Sequence, residues 1–234
     1  MTGAANEGKE LTRAIDGTTY ARIPIRTHVV TPGEDIEQIV EKYAASQLQP
    51  GDVLFVTEKI VAITQGRSYL VEDIHPRPLA RFLSRYVVKT AYGIGLGMPE
   101  TMEMALRECG TPRILFAAAV AAVTKLFGRR GDFYRIAGDK ARSIDGPTPH
   151  TIPPYNKAVV LGPKDPAGVA AKLKARLGGV SEVAVVDIND IGGNILGSTL
   201  DRAGEQRLVR ILSDNPLGQG HQSTPLGIIR PSKG

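Results

Sequence analysis

The sequence predicts a mixed α/β fold, and three stretches of the chain carry that prediction. Val53–Val56 is a continuous apolar run with β-branched residues, which is typical of a strand buried on both faces. Residues 158–188 follow a strand, helix, strand order, and residues 75–131 have mostly helical spacing. Strands that alternate with helices in this way favour a mixed α/β class.

The N-terminal part begins with a polar segment. Residues 1–20 contain no apolar stretch, so they predict a flexible tail and not a secretory signal. We expect residues 21–234 to form a single unit, with two interleaved subdomains as the alternative. A short strand through Ile23–Ile25 and Val29–Val30 precedes the turn Thr31–Gly33. The next apolar residues have the three-four spacing of a helix: Ile36, Ile39, Val40, Tyr43 and Ala44.

The C-terminal half contains the clearest supersecondary pattern, a β-α-β unit. Ala158–Leu161 reads as a strand, and Asp165 and Pro166 are suited to cap and begin a helix. Gly178–Gly179 ends that helix, and Val183–Ile188 is the second strand. A helix between two strands predicts that they are parallel with a right-handed crossover.

Composition limits the kinds of partner. The net charge of +5 favours anionic partners. Aromatic residues make up only 5% of the chain and tryptophan is absent, so we favour phosphate-bearing metabolites over nucleic acid. The longest apolar run, Ile114–Phe127, is shorter than the roughly 20 residues that cross a bilayer, so it predicts a buried helix and no membrane partner. The single cysteine, Cys109, cannot pair within the chain, which fits a cytoplasmic location.

The strongest local signal for chemistry is the segment Val186–Gly193. It places the carboxylates of Asp187 and Asp190 and the amide of Asn189 where a buried strand runs into Gly192 and Gly193. Oxygen ligands suit hard cations, and a glycine turn lets phosphate approach the backbone. The alternative is a turn whose Asp and Asn side chains bond their own backbone.

Two further groups of charged residues are candidates. Asp139 and Asp145 can supply additional metal ligands, because metal-nucleotide sites draw carboxylates from separate loops. An ordinary exposed turn is the alternative for both. Lys59 and Arg67 follow the buried strand at 53–56 and can stabilise charge on transferring phosphate, with a solvated strand end as the alternative. The four histidines lack the spacing of metal ligands.

The order of these segments resembles a known family. Val30–Ile36, Gly51–Val61 and Gln65–Arg67 are similar to the opening of the coenzyme F-420 gamma-glutamyl ligases. Pro163–Pro166, the strand into Asp187–Gly193 and the closing Thr224–Arg230 are similar to the second half of that family. Two acidic motifs depart from the family pattern. Where the family has Ala-Gly-Val-Asp-x-Ser-Asn, this chain has Asp139 and Asp145. Where the family has Ser-Asp-Thr, this chain has Asp187–Gly193.

The resemblance implies a two-part fold that forms homodimers and binds GTP with Mn²⁺ or Mg²⁺, and K⁺ is a further candidate ion. It also implies that GTP activates a carboxylate as an acyl phosphate, which the amino group of L-glutamate converts to an amide. Lys59 and Arg67 are then expected to contact phosphate. The expected nucleotide contacts are Pro32, Gly33, Asn189, Gly192 and Gly193. The expected metal ligands come from Asp187, Asp190, Asp139 and Asp145.

Two other functions stay open beside this ligase reaction. The segment Asp73–Phe133 has no match in the family pattern, so a ligase-like enzyme with a different carboxylate acceptor is the first alternative. The altered acidic motifs favour the second, a nucleotide-binding or regulatory protein without catalysis.

Overall fold

The computed structural model describes residues 8–87, 95–129, 131–189, 192–217 and 221–232, and the chain divides into two compact units. The first, which we call the sheet unit, comprises Met1–Gly66 and Pro163–Gly234. The second, the helical unit, comprises Arg67–Gly162 and is therefore an insertion in the first. The mixed α/β class is confirmed.

The sheet unit contains a sheet with strand order β1-β2-β8-β3-β6-β7. β3 and β6 are parallel, and all other neighbouring strands are antiparallel. Its strands are β1 (Thr12–Ile15), β2 (Thr18–Ile25), β3 (Val53–Thr57), β6 (Glu182–Asn189), β7 (Gly192–Ser198) and β8 (Leu226–Pro231). Its helices are α1 (Ile36–Ala44), α2 (Glu58–Thr64), α8 (Pro166–Arg176) and α9 (Arg202–Leu212).

The helical unit has a separate core and a small sheet of β4 and β5. Its elements are β4 (Ser68–Leu70), α3 (Pro78–Ser84), α4 (Pro99–Cys109), α5 (Thr111–Leu126), α6 (Asp132–Ala137), α7 (Asp139–Arg142) and β5 (Ala158–Val160). The two ends of the unit meet, because the N–H of Leu161 donates to the carbonyl of Arg67 at 2.9 Å. The side chain of Arg67 also donates to the carbonyl of Gly162 at 2.6 Å.

Several local predictions are confirmed. In β3, Leu54, Phe55 and Val56 are buried, as expected for a strand covered on both faces. Helix α1 spans the predicted three-four pattern. Helix α8 begins at Pro166, and the side chain of Asp165 accepts a hydrogen bond from the N–H of Gly168, so it is the predicted cap.

The β-α-β prediction needs a correction in its strand pairing. The order strand, helix, strand is present as β5, α8 and β6, but β5 pairs antiparallel with β4 in the other unit. The C-terminal β-α-β unit is instead formed by β7, α9 and β8, whose strands run in the same direction with β3 and β6 between them. Local pattern identifies a strand, but long-range contacts choose its partner.

The prediction of a polar tail over residues 1–20 is corrected for its second half, whereas residues 1–7 lie outside the described part of the chain. From residue 12 the chain forms a hairpin, with Thr12 opposite Ala21 and Ile15 opposite Thr18. The turn residues Asp16 and Gly17 both have positive φ, which is the backbone that tight hairpins require. The hairpin is anchored by Arg22, which is buried and bonds to Asp214. By contrast, residues 29–30 are not in a strand.

The apolar run Ile114–Phe127 forms α5 as a helix, but the expectation that it is buried is wrong. Only Ile114 and Ala117 of this helix are buried, whereas Phe116 is 63% and Leu126 84% exposed. Among the residues that the structure describes, no single helix is long and apolar enough to cross a membrane. The pair α4 and α5, bent by 116°, passes that test of length and composition together.

Candidate active site

One edge of the large sheet collects most of the predicted site residues. β2, β3 and β6 end there, and β7 and β8 begin there, because Ile25 and Val56 both lie opposite Leu226. Thr57 lies beside Val186 in the parallel pair. Ligands bind at the carboxyl ends of strands in many α/β proteins. We call this region the polar edge and define it by residues 26–34, 58–59, 187–189, 192–193 and 221–225.

Backbone hydrogen bonds hold the loops of the polar edge to the sheet. The N–H of Thr57 donates to the carbonyl of Pro225 at 2.9 Å, which fixes the segment that enters β8. The N–H of Thr27 donates to the carbonyl of Ser223 at 2.9 Å, which fixes the loop that leaves β2. The end of β3, the loop after β2 and the segment that enters β8 are therefore held together at the polar edge.

Lys59 and Asp187 contribute opposite charges to the polar edge. Lys59 is half-buried in the first turn of α2, directly after the end of β3. Asp187 is exposed near the end of β6, where it pairs in register with Asn194. Because Thr57 and Val186 are register partners, the residues that follow them lie at the same edge. Both residues therefore follow the same end of the parallel strand pair, and a site shared by their side chains stays a prediction.

The glycine segment after Asp187 forms the hairpin between β6 and β7. Asn189 lies opposite Gly192, and Gly193 lies opposite Ile188. Asp190, a predicted metal ligand, lies outside the described residues. The hairpin places the backbone of both glycines at the polar edge, and their contact with phosphate stays a prediction.

Pro32 and Gly33 occupy the two central positions of a tight turn. The N–H of Glu34 donates to the carbonyl of Thr31 at 3.3 Å, and Gly33 has a φ of 91°. Proline followed by a residue of positive φ is the signature of a type II turn, and glycine adopts that φ without strain. The turn is therefore preformed, and its predicted contact with the nucleotide stays a prediction.

Sequence analysis missed a polar network beside this turn. The two ring nitrogens of His28 lie 2.6 Å from Glu34 Oε2 and 2.8 Å from the hydroxyl of Tyr43. Glu34 Oε1 accepts hydrogen bonds from the N–H and hydroxyl of Thr31. The bond from the Thr31 N–H, aided by His28, outweighs desolvation and lowers the pKa of Glu34. The spacing Thr31-x-x-Glu34 is a signal that reveals part of this network.

The remaining candidates lie in the helical unit. Arg67 is buried and donates to Glu108 Oε1 at 2.8 Å, so its guanidinium has a structural partner within that unit. Asp139 begins α7, and its side chain is 96% exposed. Asp145 is exposed and forms an isolated bridge with Val160. Contacts of these residues with phosphate or metal stay predictions.

The described residues do not assemble a metal site by themselves. Within residues 8–87, 95–129, 131–189, 192–217 and 221–232, no three His, Cys, Asp or Glu side chains form a group that would hold an ion. Asp187 belongs to the sheet unit, whereas Asp139 and Asp145 belong to the helical unit. The predicted ligand set also includes Asp190, which lies outside the described residues, so metal binding by these side chains stays a prediction.

Comparison with known proteins decides the family. A family model described as F420-0:Gamma-glutamyl ligase matches residues 24–197. The chain belongs to this family. No curated protein matches the sequence. Membership in this family places the chain among the ligases of coenzyme F-420 biosynthesis, and it implies that the substrates are small molecules.

The F420-0:gamma-glutamyl ligase match covers most of the polar edge. It includes the turn at Pro32, the helix start at Lys59 and the hairpin after Asp187. It ends at Gly197 within β7, so α9 and β8 lie beyond it. The sheet unit nevertheless requires β8, because this strand lies between β2 and β3.

Proposed function

We propose that the protein is a GTP- and divalent-metal-dependent ligase that adds L-glutamate to the deazaflavin precursor of coenzyme F-420. The observation that supports this proposal is the polar edge, where Lys59, Asp187, the turn at Pro32 and Gly33 and the start of β7 at Gly192 lie at one end of the sheet strands in a chain of the ligase family.

The proposed reaction has two steps. The carboxylate of the precursor attacks the terminal phosphorus of GTP, which forms an acyl phosphate and releases GDP. The amino group of L-glutamate then attacks the acyl carbon, loses a proton and displaces phosphate, which leaves an amide. Both steps require a cation near the phosphate oxygens, and Lys59 is the proposed group of this kind at the polar edge. Water must be excluded to protect the acyl phosphate.

The first experiment combines the purified chain with the deazaflavin precursor, GTP, Mn²⁺ and L-glutamate, and detects glutamyl adduct and GDP by mass spectrometry. We expect an adduct that requires all four components and disappears with EDTA. Asp187→Asn at the polar edge should lower kcat/KM on the order of a hundredfold. Asp201→Asn is the matched control, because Asp201 is exposed at the opposite edge and asparagine retains its role as the cap of α9.

The same experiment separates the alternatives. GDP without adduct would point to a different carboxylate acceptor, which a panel of carboxylates would then identify. GTP binding without either product would favour a non-catalytic nucleotide-binding protein. Equal activity of Asp187→Asn and Asp201→Asn would remove Asp187 from the site.

We also propose that the chain forms a homodimer through α5. Five large apolar side chains of this region are exposed: Leu115, Phe116, Val123, Leu126 and Phe127. Together they present on the order of 500 Å², a large part of the roughly 800 Å² that each partner buries in a stable complex. Large residues lie towards both ends of α5 with alanines between them, so two copies related by a two-fold axis can cross closely at the alanines with the large residues packed on either side.

A further inference from the structure

His28 connects three parts of the sheet unit at the polar edge. Its ring nitrogens contact Glu34 and Tyr43, and its carbonyl accepts hydrogen bonds from the hydroxyls of Thr27 at 2.7 Å and Ser223 at 3.3 Å. The loop after β2, helix α1 and the segment that enters β8 are thus joined through one residue. Lys42, which lies 5.1 Å from the ring of Tyr43, is a charged neighbour of this network.

Glu34 is not the N-cap of α1. The N-cap of this helix is Asp35, whose side chain accepts from the N–H of Glu37 at 2.8 Å. Glu34 instead uses one carboxylate oxygen for Thr31 and the other for His28. These bonds join Thr31, which precedes the turn at Pro32 and Gly33, to Glu34, which follows it, and connect both to His28.

The network also adds little to the core. His28 is 41% exposed on its side chain, and none of the three side chains is buried. Hydrogen bonds between exposed groups contribute little to global stability, because water competes for both partners. Their effect is therefore expected on the local order of the loop.

We propose that His28, Glu34 and Tyr43 are positioning residues that hold the loop at residues 26–34 in the conformation that binds the nucleotide. This inference rests on the proposed function, because it takes GTP as the ligand of the polar edge. A preformed loop lowers the conformational cost of binding, so loss of the network raises the KM for GTP more than it lowers kcat.

The test uses His28→Ala and Glu34→Ala, with Glu34→Gln as the conservative variant that retains an acceptor for the Thr31 N–H. We expect the alanine variants to raise the KM for GTP on the order of tenfold, to change kcat less than about twofold, and to shift Tm by at most about 3 °C. Glu34→Gln should recover part of the affinity. Amide hydrogen exchange should become faster over residues 27–34 in the alanine variants.

Glu41→Ala is the matched control, because it removes an exposed ion pair with Arg176 from the same helix as Tyr43. It should leave KM, kcat and the exchange of residues 27–34 unchanged. Faster exchange with an unchanged KM would overturn the positioning role alone, and so would unchanged exchange in the alanine variants. Absence of GTP binding in the wild-type chain would overturn the proposed function and the nucleotide as the ligand of this loop.

Discussion

At the residue scale, Glu103 shows how the helical unit tolerates a buried charge. Its side chain is 2% exposed and lies 3.0 Å from Arg77 and 2.8 Å from Arg107. Burial disfavours the charged carboxylate, and this largest single contribution would by itself raise the pKa of Glu103. The hydrogen bonds from the backbone and side chain of Arg77 and from Arg107 together exceed it, so the pKa is lowered. The carboxylate therefore joins α3 to α4 in its ionised form.

This lowered pKa predicts how stability changes with pH. A carboxyl whose pKa falls on folding stabilises the native state above its unfolded value and loses that contribution as pH falls through its folded value. We expect Glu103→Gln to lower the free energy of unfolding by about 1–3 kcal/mol at pH 7 and to flatten its dependence on pH below 4.5.

Urea unfolding at pH 7 and at acidic pH measures both effects. Glu72→Gln is the matched control, because Glu72 is an exposed carboxylate in the same unit. An identical pH dependence in the wild type and Glu103→Gln would contradict the argument.

At the scale of elements, β8 is more important than its place in the sequence suggests. It lies beyond the family match, yet it pairs with both β2 and β3. Its side chains Leu226, Ile228 and Ile229 are buried. Each contributes about 1.5–3 kcal/mol on burial, and the three together are comparable with the 5–15 kcal/mol by which a domain is stable.

A chain that ends at Pro225 is therefore expected to leave the sheet unit unfolded. The reason is that β2 and β3 lose their shared partner and expose unpaired backbone groups. Circular dichroism and urea unfolding measure the loss of strand content and of the cooperative transition. A chain that ends at Ser232 retains β8 and should behave as the full chain does. A cooperative transition in the shorter chain would contradict the central role of β8.

At the scale of the whole molecule, charge is divided unevenly between the units. The helical unit holds 14 Lys and Arg and 8 Asp and Glu, a net charge of +6. The sheet unit holds 15 Lys and Arg and 16 Asp and Glu, a net charge of −1. The positive excess of the chain thus lies in the unit that carries α5. Two copies that meet through α5 bring like charges together, so salt should strengthen their association.

The proposed homodimer is tested by sedimentation. We expect the wild type to dimerise more tightly as salt is raised, and Val123→Lys or Phe116→Lys to sediment as a monomer with an unchanged circular dichroism spectrum. Both side chains are exposed, so their replacement should not disturb the core. Val180→Lys changes an exposed apolar residue of the sheet unit and is the control. A wild-type monomer at every salt concentration would contradict the proposal.

Local chemistry in the sequence predicted much of the fold and the positions in it of two candidate site residues. Asp165 and Pro166 indicated the start of α8, and the apolar run at 53–56 indicated a buried strand. The same reading placed Lys59 and Asp187 at strand ends, where the structure has them. It did not find the hairpin at residues 12–25, because the polar residues of an edge hairpin resemble those of a tail.

The sequence by itself determined most of the element types, the caps of some helices and the family, because these depend on residues near one another in the chain. Only the tertiary structure decided that β5 and β6 belong to different sheets and that β8 lies between β2 and β3. It alone brought His28, Glu34 and Tyr43 together beside the segment at Ser223. Strand partners and polar networks depend on contacts between distant residues, which no local pattern encodes.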